Sequence, residues 1–286
     1  MSIRKGEYMS EQLMPEVADA GDFYDQGDEL LSQIWDDNMH YGYWESEEDD
    51  SDVSVATERF TDLVLKYLTV PSGGHLLDIG CGAGKAAVRI AQDLGVKVTG
   101  INISNAQLKK AAKRAADASL SDKVTFAKVD AMNLPMENGS FDAVLALQSM
   151  MHMSDRERVL KEAARVMVPG GNFVVTDFYL QAPMSKERSA AYQTYANLVQ
   201  LNKKLLTVDE YRELLENAGF SVLEILEIPD ENCKKRTLMQ IADRISEVTS
   251  SQDAFPEPMM EMFSMCCMEF ALTPECGLLL ASAIRK

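Results

Sequence analysis

The sequence predicts an α/β fold on a largely parallel sheet, and three observations predict it. From His75 onward, short β-rich apolar runs alternate with helical stretches, the pattern of successive βαβ units. The first apolar run, Leu76-Leu77-Asp78-Ile79, passes into Gly80-Cys81-Gly82-Ala83-Gly84, a glycine loop that leads into a helix and lets a ligand approach the backbone. The chain has 286 residues, 46% of them hydrophobic, enough to bury one such core together with further helices.

Residues 1–70 read as a helical cap that precedes the sheet. Leu30, Leu31, Ile34 and Trp35 mark one face of a helix over 28–35, and 55–68 repeats the spacing. Between them, 45–52 carries six carboxylates in eight residues and reads as a solvated loop, because like charges repel. Strands are predicted at 75–79, 97–101, 124–128, 143–147, 172–177, 221–228 and 278–283. Helices are predicted at 86–94, 106–118, 155–166 and 208–218, the last closed by Gly219 as a C-cap. Two stretches, 183–207 and 230–276, break the alternation. Both read as mainly helical insertions beyond strand ends, where open α/β sheets bind ligands, and so as lids. The first carries Tyr192 and Tyr195; the second carries Met262, Met265, Phe270 and a Cys266-Cys267 pair, soft side chains that suit an irregular apolar molecule.

Composition excludes several classes. A net charge of −17 repels nucleic acid and anionic membranes. The five cysteines form no C-x-x-C pair and there are three histidines, so no metal site is expected. No stretch reaches the roughly eighteen apolar residues of a membrane span, and residues 1–22 lack a signal-like apolar core. A cytoplasmic protein with reduced thiols is expected, and the apolar cap and lid helices leave room for a homo-oligomer.

The glycine loop reads G-x-G-x-G, with Lys85 where a dinucleotide-binding loop places its third glycine, which disfavours an NAD oxidoreductase. In its order of motifs the chain resembles the class I S-adenosylmethionine (SAM) dependent methyltransferases at 78–84, 98–104, 129–132, 141–148 and 165–177, the last with Pro169-Gly170-Gly171. It is most similar to the small-molecule branch that includes natural-product sugar O-methyltransferases, which share Trp35 and His40-Tyr41-Gly42-Tyr43-Trp44. The resemblance implies a seven-stranded Rossmann-like sheet of order 3-2-1-4-5-7-6 with strand 7 antiparallel, and a SAM-binding domain over 71–286 with the two insertions as lids. It further implies that Asp78, Gly80, Cys81 and Gly82 hold the methionine end of SAM. Asp130, beside Ala131 and Met132, would accept from the adenine amino group, and Gln148 would lie near the amino-acid end. Strand two ends in Asn102 where the family usually has an acid for the ribose, so Asn102 and Gln107 are expected to share that contact without charge assistance. Tyr24 and Tyr43 are expected to close over the sulfonium, whose charge an aromatic face stabilises.

The implied reaction is methyl transfer to a hydrophobic small molecule, aromatic, glycosylated or terpenoid, of secondary metabolism. A hydroxyl acceptor needs a base. His152, just past strand four, and Asp177, at the end of strand five, stand where similar O-methyltransferases place a His–Asp pair, with an imidazole that titrates near neutral pH. His40 is the next candidate base, and His75 lies at the opposite edge. The alternative chemistry is C-methylation of a prenyl double bond with cyclisation of the resulting cation, or cyclisation alone on the same fold.

Overall fold

The computed structural model describes residues 20–202, 204–249 and 257–286; the reading of residues 1–19 lies outside them. Seven strands form one sheet in the order β3-β2-β1-β4-β5-β7-β6. They are β1 (His75–Ile79), β2 (Lys97–Asn102), β3 (Val124–Lys128), β4 (Phe141–Ala146), β5 (Met167–Leu180), β6 (Phe220–Ile228) and β7 (Cys276–Arg285). The first five pair in parallel, and β7 inserts antiparallel between β5 and β6. The helices are α1 (Ala20–Trp35), α2 (Val53–Leu65), α3 (Lys85–Leu94), α4 (Asn105–Asp117), α5 (Arg156–Val166), α6 (Lys186–Leu198), α7 (Val208–Asn217), α8 (Lys234–Thr249) and α9 (Glu257–Ala271).

Alternation along the strands divides the core in two. Leu76, Val98, Leu145 and Phe178 face α2, α3 and the helices of the two insertions, whereas Leu77, Ile101, Val144 and Phe173 face α5 and α7. Two elements differ most in extent from the sequence reading, and the acidic run differs in role. The first helix spans Ala20–Trp35 among the described residues rather than 28–35, because Phe23 and Tyr24 also find partners on the core side. The fifth strand extends from 167 to 180: β7 pairs with it from Asn172 to Leu180, and Met167 pairs with Phe141 of β4 across a register shift. The acidic run is more than a solvated loop: the Asp52 carboxylate caps α2 by accepting from Ser54 N at 2.8 Å and pairs with Arg244 on α8, while Asp49 pairs with Arg59 at 2.5 Å.

Among the described residues no helix is long and apolar enough to cross a membrane, and no cluster of three His, Cys, Asp or Glu side chains is placed to hold a metal.

Candidate active site

A cleft of about 580 Å³ opens at the C-terminal ends of β1, β2 and β4, between the glycine loop and α1. The turn after β1 needs glycine for two different reasons. Gly80 (φ +74) sits so close to Ser149 that a Cβ would overlap that side chain, while Gly82 (φ +54) has open space where its Cβ would go. The Gly80 and Cys81 amides both donate to Ile101 O, at 2.8 and 3.0 Å, so they are consumed in closing the turn. Cys81 is buried with its thiol pushed well up by desolvation, so it contributes packing and not thiolate chemistry. Of the expected cradle, Gly82 carries the free backbone face.

Asp78 is 2% exposed, and its Oδ2 has no partner among the described residues. Burial raises its carboxyl to about 7. An orphaned buried carboxylate is costly, and the α-ammonium of an amino-acid ligand supplies what it lacks. Gln148 is orphaned in the complementary sense. Its Oε1 accepts from Tyr41 N at 2.7 Å, its Nε2 is buried with no acceptor, and its backbone is held at φ +49, a strained conformation for a non-glycine residue. A ligand with both ammonium and carboxylate groups fits these two unmet needs, as the methionine end of SAM does.

At the ribose end, Asn102 Oδ1 accepts from Ile103 N at 2.8 Å, and its Nδ2 donates to Gln107 Oε1 at 2.6 Å. Among the described residues Gln107 Nε2 is left with the Met39 sulfur at 3.1 Å, a weak acceptor that a ribose oxygen would improve on. Asp130 is exposed at the mouth; its Oδ1 accepts from Met132 N at 2.8 Å, which sets the carboxylate beside Ala131 and Met132 on the cleft wall. The unmet groups of Asp78, Gln148 and Gln107 therefore fit the amino-acid and ribose ends of the cofactor.

The helix α1 closes over this cleft. Its Asp25 carboxylate accepts from Ser104 Oγ at 2.6 Å, Ala106 N at 3.0 Å and Asn105 Nδ2 at 3.1 Å, so it caps the first turn of α4 from outside. That clasp places Tyr24 against His152, Tyr24 Oη 3.0 Å from Nε2. His152 Nδ1 lies 3.1 Å from Gln200 O. A carbonyl only accepts, so Nδ1 carries the proton, Nε2 is the basic nitrogen and Tyr24 donates to it. Desolvation beneath α1 lowers the imidazole to about 4 and raises the Tyr24 phenol, so the ring is neutral near pH 7 rather than titrating there.

The expected His152–Asp177 pair is not formed. Asp177 is fully buried on the α5–α7 face, where its carboxylate accepts from Arg156 Nε at 2.7 Å and Nη2 at 3.2 Å, Tyr211 Oη at 3.2 Å and Phe178 N at 2.8 Å. The period of two along β5 turns Phe178, not Asp177, toward His152's side of the sheet. Tyr43 is half-buried against α2 with its amide on Ala56 O and walls neither cavity; Tyr41, two residues earlier in the same motif, takes the inward place. His40 is buried and lowered to about 4 by desolvation, with Nδ1 on Tyr41 O at 3.0 Å and Nε2 on Thr61 Oγ1 at 3.2 Å, a structural arrangement.

A second cavity, about 50 Å³, shares Tyr24, Met39, Gln148 and His152 with the cleft and runs beneath α1, α6, α8 and α9. From α9 it takes Phe263 and Cys267. Met265 is 62% exposed and turned away, and Phe270 stacks on Tyr195 behind the wall. Met265 falls between Glu261 and Glu269 on the exposed face of α9, a placement that the helical spacing of the two glutamates marks.

This strand order, with a glycine loop at β1 and a cleft built for an amino-acid nucleoside, defines a class I SAM-dependent methyltransferase. The chain belongs to the methyltransferase-domain family, which matches residues 71–219. It is 40% identical to the 27-O-demethylrifamycin SV methyltransferase of Amycolatopsis mediterranei over 72% of this chain and 74% of that one. It is 37% identical to methyltransferase GfsG of Streptomyces halstedii, over 74% of this chain and 76% of that one. Among solved structures it is similar to the [4+2]-cyclase SpnF, with a TM-score of 0.79 and 28% identity over 95% of this chain and 98% of that one.

A substitution at Gly82 separates ligand contact from folding. A Gly82→Val side chain projects into open space, so the expected result is SAM affinity weakened at least tenfold by calorimetry. The thermal midpoint would fall only by the amount that left-handed strain of about 1–2 kcal/mol imposes. Unchanged affinity would remove the loop from the cofactor site.

Proposed function

We propose that the protein O-methylates a hydroxyl group on a neutral, largely apolar secondary metabolite. The observation that carries this reading is the Tyr24–His152–Gln200 chain, which presents a neutral imidazole of one tautomer where cleft and cavity meet. SAM supplies an electrophilic methyl on a cationic sulfur. Asp78, Gly82, Asn102, Gln107, Asp130 and Gln148 would hold it, and α1 would exclude water. Tyr24 Oη takes the acceptor's hydroxyl proton as the oxygen–methyl bond forms, and His152 Nε2 takes the Tyr24 proton. The reaction leaves a methyl ether, S-adenosylhomocysteine and an imidazolium.

The names of the relatives support oxygen as the methylated atom, and the cavity supports an uncharged acceptor: no Lys, Arg, Asp or Glu walls it among the described residues. The test is mass spectrometry of incubations with SAM and hydroxylated polyketides and terpenoids. A product 14 mass units heavier, formed with equimolar S-adenosylhomocysteine, is the expected result. The likeness to a [4+2]-cyclase supports a second reading, cyclisation on the same scaffold with or without methylation of a double bond. An isomerised product of unchanged mass with no S-adenosylhomocysteine, or a heavier product whose fragments place the new methyl on carbon rather than in an ether, would establish it instead.

A further inference from the structure

The small cavity is walled in part by two tyrosines whose hydrogen bonds do not balance. Tyr41 Oη and Tyr195 Oη lie 3.1 Å apart, both residues are 5% exposed, and both wall the cavity. Two hydroxyls that share one hydrogen bond use one hydrogen between them and keep another. Neither oxygen has a second partner among the described residues, and neither bonds to the sulfur of Cys267 nearby. Tyr192, on the same helix as Tyr195, shows the ordinary outcome, since its hydroxyl is satisfied by Asn202 O at 2.8 Å. Apolar rings close the surroundings: Phe178 packs edge-on to Tyr41 and Phe270 stacks on Tyr195. A donor left over in such a place is costly unless a ligand takes it up.

We propose that the Tyr41–Tyr195 pair is an acceptor-recognition site that donates one hydrogen bond to a carbonyl or ether oxygen of a neutral acceptor, separate from the hydroxyl that is methylated. The inference rests on the O-methylation reading. His152 stands on the wall shared with the cofactor cleft, so the reacting hydroxyl belongs there and the rest of the acceptor extends beneath the lid helices. The cavity's 50 Å³ admits a small terminal group, such as a methyl ketone. An anionic group is excluded, because no cationic side chain walls the space to meet it.

Two phenols of equal chain length test this: 4-(5-oxohexyl)phenol and 4-hexylphenol. Trp35 walls the cavity 6.0 Å from the Tyr41 ring, so its fluorescence reports binding of either one to the full chain saturated with S-adenosylhomocysteine. The wild type is expected to bind the ketone at least as tightly as the alkylphenol, although the ketone is the more polar. In Tyr41→Phe/Tyr195→Phe the ratio should move about 3- to 10-fold toward the alkylphenol, with alkylphenol affinity preserved. Removing both partners of a buried hydrogen bond together is nearly neutral for folding, and either single variant, which keeps one hydroxyl, should retain the ketone preference. An unchanged ratio in the double variant overturns the proposal. So does a wild type that favours the alkylphenol several-fold, a result that needs no variant, or one that binds neither phenol. Methyl ether formation is scored separately by mass spectrometry. An oxygen preference without transfer from SAM to any hydroxyl acceptor would fail the O-methylation reading, not the recognition site.

Discussion

Replacing His152 with Ala is expected to lower kcat by about 10²–10⁴-fold, the usual worth of a positioned base, while SAM affinity by calorimetry stays within about twofold. The ring lies on the wall between cleft and cavity and makes its hydrogen bonds to Tyr24 and Gln200, so its loss removes proton transfer without dismantling the cofactor contacts. The pH profile carries a second expectation. Burial lowers the imidazole from 6.5 to about 4, so kcat/KM for the acceptor at saturating SAM, which reports the enzyme–SAM complex with Asp78 already ionised against the ligand's ammonium, should be flat through neutrality and fall only as pH drops toward 4. The same shift is a stability statement. A depressed folded-state value means that the neutral ring's contribution is present above pH 6.5 and lost as pH falls from 6.5 through 4, and buried His40 acts in the same window. Tyr24→Phe separates two arrangements: a loss parallel to that of His152→Ala supports transfer through the phenol, whereas an unchanged rate would place the acceptor directly on Nε2. An acid limb near 6.5 would show that the ring is solvated in solution and α1 open.

The second large effect falls on folding. Asp177→Ala leaves the Arg156 guanidinium buried without its counter-charge, and Arg156→Met leaves the carboxylate so; each is expected to cost about 3–5 kcal/mol. The thermal midpoint should fall on the order of 10 °C, read by calorimetric scanning. The double variant Arg156→Met/Asp177→Leu should recover part of the loss, because an apolar pair has no charge to desolvate, while Tyr211 Oη and Phe178 N still lose their acceptor. A stable Asp177→Ala protein with a large defect in kcat would return Asp177 to the catalytic role that its place in the sequence suggests.

These two residues show how far the sequence is legible. The βαβ alternation, the glycine loop and the order of motifs were enough to specify all seven strands and, through the family resemblance, their order. Those features are local or nearly so: a period of two or 3.6, a turn that only glycine satisfies, a cap one residue beyond a helix. Gly82, Asn102, Gln107, Asp130 and Gln148 could be proposed from sequence for the same reason, since strand ends and the turns after them bring them to one edge of the sheet, where they wall the cleft.

What the sequence left open lies where distant segments meet. Whether Asp177 meets His152 or Arg156 depends on which sheet face each reaches once β7 has entered and α5 and α7 have packed, and the tertiary structure gives it Arg156. Tyr24 reaches His152 only because the Asp25 clasp seats α1 on α4, and Tyr41 meets Tyr195 across 154 positions of chain. No periodicity within α1 or α6 encodes these contacts. A side chain's acidity and its unused hydrogens depend on the water removed around it, and that is decided only when helices far apart in the sequence close over the same space.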